Sequence, residues 1–186
     1  MVDVRWSRKL VFAGMMAAGL SACAHGGKAA PQGAFTRGEP SGRAYHANIL
    51  QLARSNTAYR RVLYTKDRMQ IVVMSIPPGG DVGEERHERV EQILFCAGGS
   101  GRVVMGGEAA PFNQGDVVFV PPGTVHNFVN AGATPLKILT IYSPPNHIPG
   151  RVQMTKADAE ADTEDEEFGR RMERATPAPG ARGQRR

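Results

Sequence analysis

The stretch Gly115–Asn130, GDVVFVPPGTVHNFVN, constrains this chain more than any other. It has the form G-x5-P-x-G-x2-H-x3-N, with Gly115, Pro121, Gly123, His126 and Asn130 at the fixed positions. Gly115-Asp116 reads as a tight turn, Val117–Val120 as a short apolar strand and Pro121-Pro122-Gly123 as a second turn. His126 then falls on the strand that follows. Two turns this close together, bracketing apolar residues, deliver one imidazole to the inside of a β-structure.

The rest of the chain repeats that rhythm. Strand-like runs lie at 59–65, 69–77, 90–96, 102–105, 117–120, 125–129 and 136–142, rich in β-branched and aromatic residues. Polar or glycine-rich breaks separate them: Lys66-Asp67-Arg68, Pro78-Gly79-Gly80, Gly98–Gly101, Gly106-Gly107 and Asn130-Ala131-Gly132. No long helical pattern intervenes to cover a sheet, so the strands must close on one another. The expectation is an all-β fold, one antiparallel barrel or sandwich over about 46–150. The 186 residues and 41% hydrophobic content suit one such domain.

The Gly115–Asn130 motif resembles the second signature of the cupin family, small jelly-roll barrels (double-stranded β-helices) that commonly hold one metal ion through such a histidine. The family's first signature resembles G-x5-H-x-H-x3-4-E-x6-G. Gly83–Gln92, GEERHERVEQ, stands in its place, with Glu85 where the first His belongs. Residues i and i+2 of a strand face one side, so Glu85 and His87 can point inward together while Arg86 points out. A carboxylate and an imidazole make half a divalent-ion site.

Glu91 and Gln92 both fit the spacing of the next ligand. Charge favours Glu91. Register favours Gln92, because the glycines that follow the ligand in many cupins fit Gly99 and Gly101 best in that frame. The resemblance extends over roughly 48–160 to a group of small bacterial single-domain cupins with an acid–Gln pair at this point. It implies Glu85, His87, Gln92 and His126 as ligands of one divalent ion (Mn, Fe, Ni or Zn), with Glu91 as alternate ligand or proton-moving group. Donor type does not choose among those metals.

Before the barrel, Arg5, Arg8 and Lys9 precede the apolar run Leu10–Leu20, too short to span a bilayer and right for a signal segment over 1–22. Leu20-Ser21-Ala22-Cys23 resembles a bacterial lipobox, which implies lipidation of Cys23, a membrane anchor and a periplasm-facing place in the cell envelope. Ala24 lacks the acidic signal of inner-membrane retention, leaving outer-membrane sorting open. Residues 23–45, rich in Gly, Ala and Pro, read as a flexible tether. With Cys23 lipidated, Cys96 has no disulfide partner and reads as a small buried hydrophobe.

The formal charge of +5 falls to +3 without residues 1–22, which carry three basic and one acidic side chain; Arg182, Arg185 and Arg186 account for that remainder. The basic residues form no stripe on the strands, which argues against nucleic acid. His147 reads as a surface-loop residue, with a place over the barrel mouth as the alternative. Residues 151–186 read as a polar helix opened by a Thr155–Asp158 capping box, solvated and passing into a disordered tail. The expected function is a metal-dependent enzyme on a small polar metabolite, a sugar or organic acid, with isomerase, lyase and dioxygenase chemistry all open. The alternative is a non-catalytic envelope module that captures a small ligand or metal. Edge strands leave room for a homodimer, though no residue pattern marks the interface.

Overall fold

A computed structural model describes residues 35–37 and 44–177 of the chain. The expected signal segment and Cys23 lie outside those residues, as does most of the expected tether. Among the described residues, no helix is long and apolar enough to cross a membrane.

β1 (Phe35–Arg37) and β2 (Ala44–His46) form a small parallel pair. α1 (Ile49–Ser55) follows, its N-terminus closed by the Asn48 side chain, which accepts from Gln51 N. The barrel strands are β3 (Arg60–Lys66), β4 (Met69–Ile76), β5 (Glu91–Gly98), β6 (Ser100–Met105) and β7 (Glu108–Asn113). They continue as β8 (Val117–Val120), β9 (His126–Val129), β10 (Leu136–Ser143) and β11 (Val152–Gln153). Two antiparallel sheets result, one of six strands in the order β11-β3-β4-β10-β5-β8 and one of three, β7-β6-β9. The all-β jelly-roll expectation is met.

Alternation along the strands decides what each sheet face does. On β10, Leu136, Ile138 and Tyr142 enter the main core with Val72, Met74, Leu94, Phe112 and Phe128, where Phe112 and Phe128 meet edge to face at 4.9 Å. Leu139, from the opposite face of the same strand, packs under α1 with Ala53, Leu63, Val73 and Ala97. The six-stranded sheet is therefore covered on one side by the barrel interior and in part on the other by a helix.

Several elements differ from the sequence reading: β1 and most of β2 fall in the stretch read as a tether, and β11 in the stretch read as a polar helix. β7, EAAPFN, carries Pro111 and was not expected as a strand; it is the edge of its sheet, where proline's missing N–H costs no ladder bond. The polar C-terminal helix is two helices, α2 (Lys156–Ala161) and α3 (Thr163–Ala175), parted at Asp162, whose side chain caps α3 through Asp165 N. The Thr155–Asp158 capping box is present at α2.

α3 is not a solvated helix. Asp165 and Gly169 are buried, and Phe168, Met172 and Glu173 half-buried, one stripe at three- and four-residue spacing. Gly169 permits this: a Cβ there would stand 2.8 Å from the Asn146 carbonyl oxygen.

Candidate metal centre

The two motifs are joined through their backbones. Glu85 N donates to His126 O at 2.9 Å and His126 N to Glu85 O at 3.0 Å, an isolated antiparallel bridge across 41 residues of sequence. Gly123 adds a third tie, its N–H donating to His87 O at 2.7 Å from a backbone with φ +76°, a conformation that the Pro-Pro-Gly turn reaches through glycine. Burial alternates along Glu84–Glu88 as a strand requires: Glu84, Arg86 and Glu88 are exposed, Glu85 and His87 turned in.

Glu85, His87 and His126 each offer one donor atom, all within 4.8 Å of one another. Glu85 Oε2 lies 3.4 Å from His87 Nε2 and 3.9 Å from His126 Nε2. Two donors each ~2.1 Å from a common ion stand about 3.0 Å apart at right angles and about 4.2 Å apart when opposite. Both separations fall in that window. His126 Nδ1 is 2.9 Å from Thr124 O; a carbonyl only accepts, so Nδ1 carries the proton and the buried Nε2, which has no hydrogen-bonding partner, carries the lone pair.

Gln92 and Glu91 separate cleanly. Gln92 is 1% exposed and faces the interior, its Nε2 buried without a partner; turning the amide over presents Oε1 at that point. Glu91 is exposed on the outer face opposite Ser143, so the proton-moving or ligand role expected of it has no geometry behind it. Neighbours on a strand face opposite ways, and β5 turns Gln92 inward.

Four residues outside the expected ligand set complete the surroundings. Glu173 of α3 places Oε1 3.3 Å from His87 Nδ1, and its Oε2 accepts from Glu88 N at 3.2 Å. His147 is buried rather than on a surface loop. Its backbone is gripped by Gln70, which donates to His147 O at 2.6 Å and accepts from His147 N at 3.0 Å, and Nδ1 lies 2.7 Å from Asp165 Oδ2. Arg60 sits beside both, 3.6 Å from Asp165 Oδ2 and 3.9 Å from Glu85 Oε1.

The electrostatics follow from this packing. Burial by itself would raise the Glu85 pKa, but His87 and Arg60 outweigh it and bring the value down to about 2. Burial works against a charged His87 ring, yet Glu85 and Glu173 on its two sides carry the net shift upward. His147 moves down, by burial first and then by Arg60. Three carboxylates are turned inward, Glu85 and Asp165 beside Arg60 and Glu173 beside the His87 ring, a clustering of negative charge that a divalent cation would offset. With the orphaned Nε2 of His126 converging on Glu85 and His87, the residues fit such an ion.

The centre opens into a cavity of about 480 Å³, whose wall includes Arg60, Glu85, His87, His147, Asp165 and Glu173. That volume lies within the ~300–1,000 Å³ of small-molecule sites.

Comparison with known proteins agrees with this architecture. The family model described as a cupin domain matches residues 72–142. An uncharacterised Bacillus subtilis protein, YrkC, is 39% identical over 125 residues, covering 64% of this chain and 67% of that one. An oxalate-binding protein of Thermotoga maritima is 32% identical over 82 residues, 44% of this chain and 67% of its own. The crystal structure of BH2720 from Bacillus halodurans superposes with a TM-score of 0.64 at 38% identity, covering 65% of this chain and 96% of the other. With both signature motifs meeting across one jelly-roll barrel, and with these relatives, the chain belongs to the cupin family.

Proposed function

We propose that this cupin holds one divalent metal ion through Glu85, His87, Gln92 and His126 and takes a small organic acid into the cavity above it. One observation carries the reading: donor atoms of Glu85, His87 and His126 converge within 4.8 Å beside a cavity whose wall holds a half-buried arginine. A divalent ion bound there supplies Lewis-acid polarisation of a ligand oxygen.

The protein's own residues supply the rest. Arg60 is the group that reads a carboxylate. Its contacts to Glu85 and Asp165, 3.9 and 3.6 Å, exceed the ~2.7–2.9 Å of a charge-assisted hydrogen bond; Nη1 also lies 3.2 Å from His147 Nδ1, and Nε has no partner. The guanidinium therefore keeps donors for a ligand. His147, its Nδ1 between Asp165 Oδ2 at 2.7 Å and Arg60 Nη1 at 3.2 Å and its Nε2 unpartnered, takes the proton-moving role that the sequence placed on Glu91. The similarity to the oxalate-binding protein of Thermotoga maritima supports an acid over a neutral sugar.

Capture without turnover is the second reading, favoured by a cavity wall that contains no Ser, Thr or Cys nucleophile among the described residues. The same proposal has the chain exported and lipid-anchored at Cys23 in the cell envelope, supported by the basic start, the apolar run Leu10–Leu20 and the Leu20–Cys23 box.

Metal analysis of untagged protein purified without chelator tests the centre: stoichiometric divalent metal is expected, lost in His126→Ala, and its absence from the wild type sinks the reading. Oxalate titrated into loaded protein should bind, and Arg60→Met should weaken it at least tenfold with metal content unchanged. Assays of product formation and O₂ uptake with candidate acids then separate enzyme from binder. Incorporation of labelled lipid that persists in Cys23→Ser would refute the anchor.

A further inference from the structure

A second cavity, of about 420 Å³, lies against the six-stranded sheet and shares only Tyr59 and Lys156 with the wall of the metal-centre cavity. Its walls include Tyr59, Pro77, Pro135 and Met154, and one basic side chain, Lys137 of β10, enters from the sheet. Lys137 Nζ donates to Asn56 O at 2.6 Å and to Ser75 Oγ at 2.8 Å. Both acceptors are neutral, and no carboxylate pairs with this ammonium among the described residues. A lysine that caps the end of α1 would satisfy part of this description, since Asn56 is the C-cap residue of that helix. An ammonium has three N–H donors, however, and only two are taken.

The other charged groups of the wall are already matched. Asp81 pairs with Lys156 and accepts from Asn127 Nδ2 at 2.9 Å, so the wall carries one uncompensated positive charge, on Lys137. Burial lowers the Lys137 pKa, as expected of a cation that has given up water without gaining an anion.

We propose that this cavity is a second ligand site, separate from the metal centre, for an amphipathic monoanion whose carboxylate meets Lys137 and whose apolar tail lies along Pro77, Pro135 and Met154. The site does not depend on the metal reading, because no proposed ligand of the metal lines it.

Metal-free full-length protein titrated with octanoate, octanol and octylamine tests this by calorimetry, with the Met154 methyl resonance as a local reporter. Octanoate is expected to bind saturably and shift Met154, with octanol at least tenfold weaker and octylamine not binding. Lys137→Met should cost at least tenfold in octanoate affinity, Lys137→Arg should retain binding, and Arg60→Met in the other cavity should change nothing. Met154 is 57% exposed, so Met154→Glu can be made without disturbing the core and should repel octanoate even if Lys137→Met does not fold. Octanol binding as tightly as octanoate, wild-type affinity in folded Lys137→Met or in Met154→Glu, loss of affinity in Arg60→Met, or no saturable octanoate binding would each overturn the proposal.

Discussion

Replacing Glu173 should weaken metal binding although Glu173 is not among the proposed ligands. The carboxylate accepts from Glu88 N and faces His87 Nδ1 at 3.3 Å, so it fixes both the ring's tilt and which nitrogen bears the proton. In the metal-free protein Glu85 faces Nε2 as Glu173 faces Nδ1; on metal binding the Nε2 proton would leave and Glu173 would keep the other on Nδ1. Loss of such an outer partner typically costs 10–100-fold in metal affinity. The long His87 contact puts the effect here at the lower end, about tenfold or ~1.4 kcal/mol, for Glu173→Gln, which keeps one acceptor. Glu173→Ala removes both contacts and should cost more. Chelator-competition titration of Zn²⁺ or Mn²⁺ into metal-free protein reads the affinity, and ¹⁵N shifts of the His87 ring read the tautomer. α3 should stay docked, because Asp165 still accepts from Ile148 N at 2.7 Å and Arg89 still donates to Thr176 O at 2.7 Å. Wild-type affinity and an unchanged His87 tautomer in Glu173→Ala, with α3 still protected from hydrogen exchange, would refute the reasoning.

Further outcomes follow from the same geometry. Glu91→Gln should leave metal content unchanged, whereas Gln92→Leu should lower affinity; the reverse pattern would mean that β5 is out of register by one residue. In metal-free protein, the Glu85 pKa is depressed from 4.5 to about 2, so the stability that it contributes is complete above the ordinary carboxylate range and is lost as pH falls from about 4.5 toward 2. The melting temperature should fall through that window, and Glu85→Gln should flatten part of the decline; an identical slope in the variant would discount the depressed pKa.

What could be read from the sequence was whatever depends on local spacing. Glu85 and His87, two apart on one strand, and His126, eleven after Gly115, could be placed because a β-strand has a fixed period and the turns between strands require glycine and proline. Gln92 is favoured over Glu91 only by register; in the structure Gln92 is buried and Glu91 exposed. Arg60, Asp165 and Glu173 could not be found this way, and His147 over the barrel mouth was only the alternative to a surface loop. Their neighbourhood is made by tertiary contact: α3 crosses to the cavity from more than 70 residues beyond His87, and its sequence, TEDEEFGRRMERA, is polar enough to read as solvated. The signal that was available was Gly169 in mid-helix, with Asp165, Phe168, Met172 and Glu173 on one stripe; a glycine costs about 1 kcal/mol in a helix interior and calls for a packing reason. β7 was missed because Pro111 reads as a strand breaker until the strand is known to lie at an edge.

The paired backbone bonds between Glu85 and His126 bear on how this centre can change over time. Amide and carbonyl groups make that bridge, so it is indifferent to what either side chain carries. The position resembling the family's first histidine can exchange imidazole for carboxylate without moving the partner strand, and Glu85 occupies it with the ladder closed on both sides. The barrel behaves here as a socket in which the plug is interchangeable. A change of metal preference would then need a single codon rather than a remodelled fold, which is one way a single architecture can diversify while its core stays the same.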